Sequence, residues 1–556
     1  MRFERKMNST LIAPTHSRAD LRALLREMEQ TQLVRHLDAD AAGGADEYLF
    51  KHALTQAAAY DSLLQKARRQ IHLDVARAYE TFYAERLDEN AALLAYHFDQ
   101  ADDRVKTLEY LPRAAQWAHG AAAHRQEIEL LGRAIEIANA LGKTETAAEL
   151  HAQRGKAFAS LAMWAQARPE LDAALAGLPP AQRELRAEIL IELAFTCNWL
   201  QDVPGLRRCA TEALALAHEL GRQDFAVAAE CASAFADSSD GLTRLALKKF
   251  ENAFKHAANV HSKQSAMAHE IAGTILYFVG QYDAAFKHSI PAAQTARELY
   301  DHATYLRAVG NIGLIFMAQG RYREGLETFA QAREYGKQNE IETWSARIVA
   351  MESGCHLEIF DFAGAEALAH QAREMARASN FIGPIVSSGI DLMFNYTRRQ
   401  EPAKAQAMLY EIAEQVERGK GSHGWLWQLR FAQARAELEL VRENWTEAVA
   451  AADQAIQRAR ATGRVKYLAS ALATRGVALV HSGRKQKGMA DLDGAVKHAR
   501  KLGDPAIFLR IASQQLAIAK DDALAGEARA LMHRTAQALP TPQLRDQFEA
   551  YLSEHL

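Results

Sequence analysis

Most of what catalysis, membrane insertion or nucleic-acid binding requires is missing from this sequence. No G-x-x-x-x-G-K-[ST] occurs, so there is no Walker A loop to wrap phosphates in backbone N–H groups. Gly142-Lys143-Thr144 is a decoy, because Ile137 stands where the first glycine belongs. The tripeptide also follows the helical run AIEIANAL, whose end a glycine terminates. His269-Glu270 fails as H-E-x-x-H, since Gly273 occupies the second histidine position. No G-x-S-x-G is present, and no cysteine pairs recognisably with a histidine. Neither a hydrolase nor a metalloenzyme is read, and no cofactor is expected. The four cysteines, Cys197, Cys209, Cys231 and Cys355, show no C-x-x-C spacing and read as buried thiols in a reducing compartment. No apolar run approaches the roughly 18 residues of a membrane span. The N-terminus lacks the apolar core of roughly 7–15 residues that a signal peptide carries, so a cytoplasmic location is expected. Few Val-, Ile- or Thr-rich alternating runs leave room for sheet. A net charge of −3 and a pI near 6.7 argue against a nucleic-acid groove, which needs clustered Lys and Arg.

What is present is a repeat. One copy runs Asn311-Ile312-Gly313, Phe316, Gly320, Tyr322, Gly325, Phe329 and Ala332. The copy before it reads Gly273, Leu276, Gly280, Tyr282, Ala285 and Ala292. This is the internal spacing of a tetratricopeptide (TPR) unit, two antiparallel helices that must stack on neighbours to bury their apolar faces. The position where helix B crosses helix A falls at Glu127, Ala167, Leu206, Ala246, Ala285, Gly325, Ala365, Ala405, Ala448 and Gly488. Glu127 and Leu206 depart from the rule; the other positions are Ala or Gly, as close crossing of helix axes demands. Phe158, Phe362, Trp445 and Gly483 echo on the same lattice. The step is about 40 residues against the usual 34, so each helix is about one turn longer. An all-α, TPR-like superhelix is expected, and a solenoid of this kind accommodates 556 residues without separate cores.

The first hundred residues differ. Residues 20–36 carry Leu21, Leu24, Leu25, Met28 and Leu33 at helical spacing. A turn-rich stretch with Gly43-Gly44 follows, between the apolar edges Leu33-Val34 and Tyr48-Leu49-Phe50. Helix, short strand, Gly-rich turn and short strand outline a small winged-helix unit. The sequence therefore divides into a disordered 1–19, a winged-helix-like remnant with its connecting helix at 20–85, and a first TPR-like stack at 86–420. A second stack with a C-terminal capping helix occupies 421–556.

The run YLFKHALTQAAAYDSLLQKARRQIHLDVARAYE resembles the junction between winged helix and TPR arm in bacterial STAND-type signalling ATPases. It is most similar to those that carry a class III adenylate/guanylate cyclase domain ahead of the ATPase. The resemblance extends over about residues 20–540 and is most specific in the Phe50-Lys51-His52-Ala53-Leu54 segment. It implies a signalling arm and, at His52, a residue that touches the phosphates of bound ADP. With no P-loop here, a separately encoded ATPase would have to supply the nucleotide in trans. Cyclase chemistry would need a domain that this chain does not carry. The chain looks like the C-terminal arm without the motor.

Two stretches are candidate sites. Helix A residues near the small position are expected to line the concave groove. These are Tyr277 and Phe278, Leu314 and Met317, Met351 and Leu357, and Ile390 and Phe394. Their apolar character suits an amphipathic helix or apolar peptide, although each could equally be core. The Lys/Asn pattern that grips a C-terminal carboxylate in chaperone-binding TPRs is not found. The run Arg418 to Gly424, with Gly419, Gly421 and Gly424, precedes the longest repeat step and reads as a hinge or a longer loop. Trp425 and Trp427 follow it as a contact patch. The leading expectation is a non-catalytic arm that binds a protein or peptide, a separately encoded ATPase or cyclase among the candidates. No nucleic acid and no membrane are expected as partners. The alternatives are a free-standing TPR adaptor and a small-ligand sensor. A closed pocket between superhelical turns, with polar groups converging in it, would favour the sensor.

Overall fold

A computed structural model describes residues 6–8, 18–37, 47–121, 123–255 and 261–554. Apart from a small sheet near the N-terminus, the described residues form helices joined by tight loops. The chain falls into two compact units, residues 1–154 and 155–556. That division replaces the boundaries expected at 85/86 and 420/421.

In the first unit, strands Lys6–Asn8, Val34–Leu37 and Glu47–Phe50 form an antiparallel sheet with Glu47–Phe50 in the middle. Met7 pairs with Tyr48 and Arg35 with Leu49. Residues 6–8 thus belong to a strand, a correction to the disorder expected over 1–19. The rest of that segment up to residue 17 lies outside the described residues, as does Gly43-Gly44. The sheet and helix Arg18–Gln30 bury Leu25, Val34 and Tyr48, with Met28 and Phe50 packed against them. A separate core explains why no boundary falls at 85. Ala76, from helix Gln65–Phe82, is buried with Leu94, Phe98, Tyr110, Leu131 and Leu150 of the helices that follow. The first hairpins therefore belong to the N-terminal unit.

The second unit is a TPR-like superhelix of helical hairpins. From Tyr282–Glu298 through Pro402–Arg418 each helix has 17 residues, about 26 Å of length at 1.5 Å per residue. The longer repeat period is thus spent in the helices. Ala167, Leu206, Ala246, Ala285, Gly325, Ala365, Ala405, Ala448 and Gly488 are each the fourth residue of a second helix, and all are buried. Glu127 holds the same fourth place in helix His124–Ala140 of the N-terminal unit. At Gly325 an added Cβ would lie 2.7 Å from Met317 Sδ and 3.3 Å from Gly313 O, so the two helices cross almost backbone to backbone.

Hairpins far apart in sequence meet along a seam. Thr243 Oγ1 donates to Thr462 O at 3.0 Å, Trp425 Nε1 to Ser238 O at 2.8 Å, and Arg464 Nη1 to Phe278 O at 2.9 Å. Gly280 and Gly320 end first helices with φ of 79° and 75°, values that favour glycine, and both are crowded from across the seam. A Cβ on Gly280 would lie 2.9 Å from Leu502 Cδ1, and one on Gly320 would lie 2.9 Å from Pro505 Cγ. The final helix, Pro542–Ser553, packs Phe548 and Tyr551 against Phe360, with ring centroids 5.5 and 4.4 Å away. These separations of about 190–220 residues correspond to roughly five hairpins, so one superhelical turn of the unit rests on the next.

The seam also removes the hinge. Lys420 N donates to Gln201 Oε1 at 3.0 Å, and Trp427 is fully buried. A Cβ on Gly419 would lie 2.8 Å from Trp427 Cε3, and one on Gly424 would collide with the Gly419 carbonyl. Gly421 opens helix Gly421–Val441. Gly419 and Gly424 are small because the chain packs on itself there, and 420/421 is the interior of one unit.

Candidate functional site

The eight residues expected to line a groove do not share one open surface. Tyr277, Phe278, Leu314, Met317 and Met351 line a chamber of about 130 Å³, space for roughly four waters at about 30 Å³ each. Leu357 and Phe394 border a gap of only about 20 Å³, and Ile390 is fully buried in the core beside Val386, Met393 and Ile412. A continuous apolar groove is therefore corrected to a half-open chamber. Its far wall comes from the next superhelical turn: Arg464, Lys466, Tyr467, Asp504 and Ala506.

Charge dominates this chamber, which the apolar reading missed. Arg347, Glu358, Asp391 and Arg430 join Arg464, Lys466 and Asp504 in its walls. That makes four cations against three carboxylates. Asp391 and Arg430 form an ion pair between successive first helices. Lys466 Nζ lies 3.4 Å from Glu358 Oε1 and 3.8 Å from Asp504 Oδ2. Burial disfavours the ammonium, but the two carboxylates overcome it and hold the Lys466 pKa well above the usual lysine range. Burial likewise opposes the Glu358 carboxylate, yet Lys466 pulls its pKa down to about 2. Asp504 is pushed up to about 6, first by burial, with Lys466 opposing and Glu358 adding to the rise. Asp504 Oδ1 also accepts from Ile507 N at 3.3 Å, which caps helix Pro505–Ile518.

The other two cations have no carboxylate partner within ion-pair distance among the described residues. Arg464 satisfies itself on the Phe278 carbonyl and lays its guanidinium 4.7 Å from that ring's centre. Arg347 Nη1 donates to Ser387 Oγ at 3.2 Å, a hydroxyl that also accepts from Trp427 Nε1 at 3.2 Å. Burial and the neighbouring Arg430 charge lower the Arg347 pKa to about 10 against the opposing pull of Asp391, so it stays cationic at neutral pH.

A legible signal did exist for the paired charges. Asp391 and Arg430, Arg398 and Glu437, and Arg347 and Ser387 lie 39 or 40 residues apart, one repeat period. Complementary polar residues at the repeat spacing mark neighbouring first helices in register. The second-turn wall carries no such mark.

Two further cavities differ in character. One of about 160 Å³ is lined by Trp164, Trp199 and Trp344 with Glu192, Asp301 and Arg307. Arg307 already fills the cation position there, 4.9 Å above Trp199 and paired with the buried Glu270. Burial and Asp301 push Glu192 up to about 7. Another, of about 730 Å³, is an outer depression whose charged lining includes Arg333, Glu334 and Lys337.

The remaining sequence candidates are placed as follows. His52 is exposed at the start of helix Ala53–Asp61, with extended backbone. His269 Nδ1 faces His288 Nδ1 at 3.0 Å beside Phe254, while Glu270 pairs with Arg307. All four cysteines are buried and free of disulfides. No described helix is long and apolar enough to cross a membrane.

The fold defines the class, a TPR-like helical-repeat protein. No family model matches the chain, and no curated protein matches it. Among solved structures it is similar to a Rap protein in complex with competence and sporulation factor, at 11% identity and a TM-score of 0.45. That match covers 68% of this chain and 97% of the other. It is also similar to the Cut9–Hcn1 hetero-tetramer of the APC/C, at 14% identity and a TM-score of 0.34, over 90% of this chain and 99% of the other.

Proposed function

We propose that this protein is a non-catalytic binding scaffold that holds a carboxylate-bearing ligand in the chamber of residues 155–556. The observation that carries the reading is Arg347, a cation in a confined wall whose hydrogen bond goes to a hydroxyl rather than a carboxylate. Asp391 offsets part of the burial cost of this cation without forming an ion pair with it, and a ligand carboxylate would remove more of that cost. Tyr277, Phe278, Leu314 and Met351 supply apolar surface for the rest of the ligand. The chamber's size suits a small organic acid or a single acidic or C-terminal residue of a partner's peptide, and it excludes a folded helix. A pocket with converging polar groups, walled by two superhelical turns, supports the ligand-sensor alternative beside an open peptide groove.

The test is calorimetric titration of the full chain with two panels, small aliphatic and aromatic carboxylic acids and short peptides with free or amidated C-termini. A binder is expected whose affinity falls about ten- to hundredfold in Arg347→Gln, the loss of one charge-assisted hydrogen-bonded contact. The unliganded melt should move little. Free-acid peptides alone binding would assign the partner as a protein, and small acids alone would assign a metabolite sensor. Binding that is unaffected by R347Q, or no binding in either panel, would refute the chamber as the site.

The resemblance of residues 48–80 to a STAND winged-helix junction supports a finer reading of the N-terminal unit. There it would dock on a separately encoded P-loop ATPase and place His52 at the nucleotide. The exposure of His52 supports it, since a contact in trans needs a side chain open to a partner. The upstream genomic DNA should then encode a G-x-x-x-x-G-K-[ST] protein that binds this chain in an ADP-dependent way, more weakly with His52→Ala. Binding indifferent to ADP and to H52A would reject this reading.

A further inference from the structure

We propose that His119, His124 and Glu127 form a site for a divalent transition-metal ion of the zinc class. The three residues come from the end of helix Arg104–Gly120 and the start of helix His124–Ala140. Glu127 Oε2 lies 3.0 Å from His119 Nδ1 and 2.9 Å from His124 Nδ1, and the three donor atoms are all within 4.8 Å of one another. Among the described residues this is the one group of three or more such donors close enough to share an ion.

Glu127 is the residue that breaks the repeat rule. Its position in a second helix is Ala or Gly elsewhere, apart from Leu206, because the partner helix presses against it. A carboxylate only 7% exposed at such a place needs a specific partner.

The donor set is chemically apt. Two imidazole nitrogens and one carboxylate oxygen suit zinc and its first-row neighbours, while hard cations prefer all-oxygen shells. With metal–ligand bonds of about 2.0–2.2 Å, tetrahedral donors sit about 3.3 Å apart. The two carboxylate–imidazole separations need to open by only a few tenths of an ångström. His124 is buried and fixed, whereas the His119 side chain is one-third exposed and can make that adjustment. On binding, each imidazole presents an unprotonated Nδ1 to the ion, with the ring proton on Nε2. Three protein donors leave a fourth position on the exposed His119 side for water or a ligand. The ion would tie the end of one helix to the start of the next.

Other histidine pairs serve as internal controls. His72 and His97 (Nδ1 to Nδ1, 2.8 Å) and His269 and His288 have comparable ring-nitrogen separations, but neither belongs to a three-donor group.

The test uses the metal-stripped full chain, titrated with Zn²⁺ against a chromophoric chelator and with Co²⁺ followed by its visible d–d absorption. One equivalent should bind, with the intense cobalt spectrum of a four-coordinate site and a rise in melting temperature. His119→Ala should lower zinc affinity at least tenfold and abolish the melting shift, and Glu127→Gln should do the same. His288→Ala should keep the equivalent. H119A is the decisive variant, because its exposed side chain can be removed without opening the core, which circular dichroism will verify. Weak binding of several equivalents, a six-coordinate cobalt spectrum, or full affinity in a folded H119A would overturn the site.

Discussion

Replacing Lys466 by methionine is expected to destabilise the protein by about 3–5 kcal/mol at neutral pH. Methionine keeps the apolar stem but leaves Glu358 and Asp504 as carboxylates facing each other with no ammonium between them. Breaking one partner out of a buried ion cluster costs far more than the intact cluster contributes, because the desolvated charges remain. The pH dependence separates this mechanism from simple packing loss. In the wild type, Glu358 has its pKa depressed to about 2, so it contributes stability above its ordinary 4.5 that is lost as pH falls from there towards 2. Asp504 has its pKa raised to about 6, so its ionisation costs stability above pH 6, and that cost fades as pH falls from 6 towards 3.8. Without Lys466 both carboxylates take up protons more readily. The penalty of K466M should therefore shrink between pH 7 and pH 5 in urea denaturation. A constant penalty would mean that the cost is one of packing, and a penalty below about 1 kcal/mol at pH 7 would mean that the cluster is hydrated.

Replacing Gly488 by valine should cost about 3 kcal/mol or more. A Cβ at this position would lie 2.6 Å from the Gly476 carbonyl oxygen and 2.9 Å from Val480 N, all backbone or near it. From the other side, a Cβ on Gly476 would lie 2.9 Å from Gly488 O and 2.8 Å from Leu492 Cγ. Helices Val465–His481 and Lys485–Leu502 must then move apart, and with them the seam around Arg464 and Asp504. Gly325→Ala is the milder comparison, because the nearest atoms there, Sδ and Cγ of Met317, belong to a side chain, and the nearest backbone atom, Gly313 O, is 3.3 Å away. Repeat arrays lose stability by segments, so urea melts of G488V should show residues 465–518 exchanging amide protons before the rest. Equal losses in G488V and G325A would contradict the backbone-contact account.

The small residues of the lattice were legible because one physical demand, close helix crossing, recurs every 40 residues and leaves Ala or Gly each time. The same regularity made Glu127 visible as an exception, although the histidines beside it stand outside the lattice, one at the end of helix Arg104–Gly120 and one at the start of helix His124–Ala140. Tyr277 and Phe278, expected to line a concave groove from their position on a first helix, line the chamber instead. What closes that wall was not readable. Arg464 meets Phe278 across 186 residues, and Thr243 meets Thr462 across 219. No sequence period records how many hairpins complete a superhelical turn. Gly419 and Gly424 misled for the related reason that glycine serves both a flexible linker and a close approach, and only the buried Trp427 distinguishes them.

Contact between successive superhelical turns is what makes the chamber, and a double-mutant cycle on Arg464→Ala and Phe278→Ala measures it most directly. The guanidinium lies 4.7 Å from the ring centre, in residues 186 positions apart in sequence that touch only if the turns stack. A coupling of about 1 kcal/mol or more in urea denaturation is predicted. Additivity within about 0.3–0.5 kcal/mol would mean that the turns stand apart, and that the chamber and the ligand site built on it do not exist in solution.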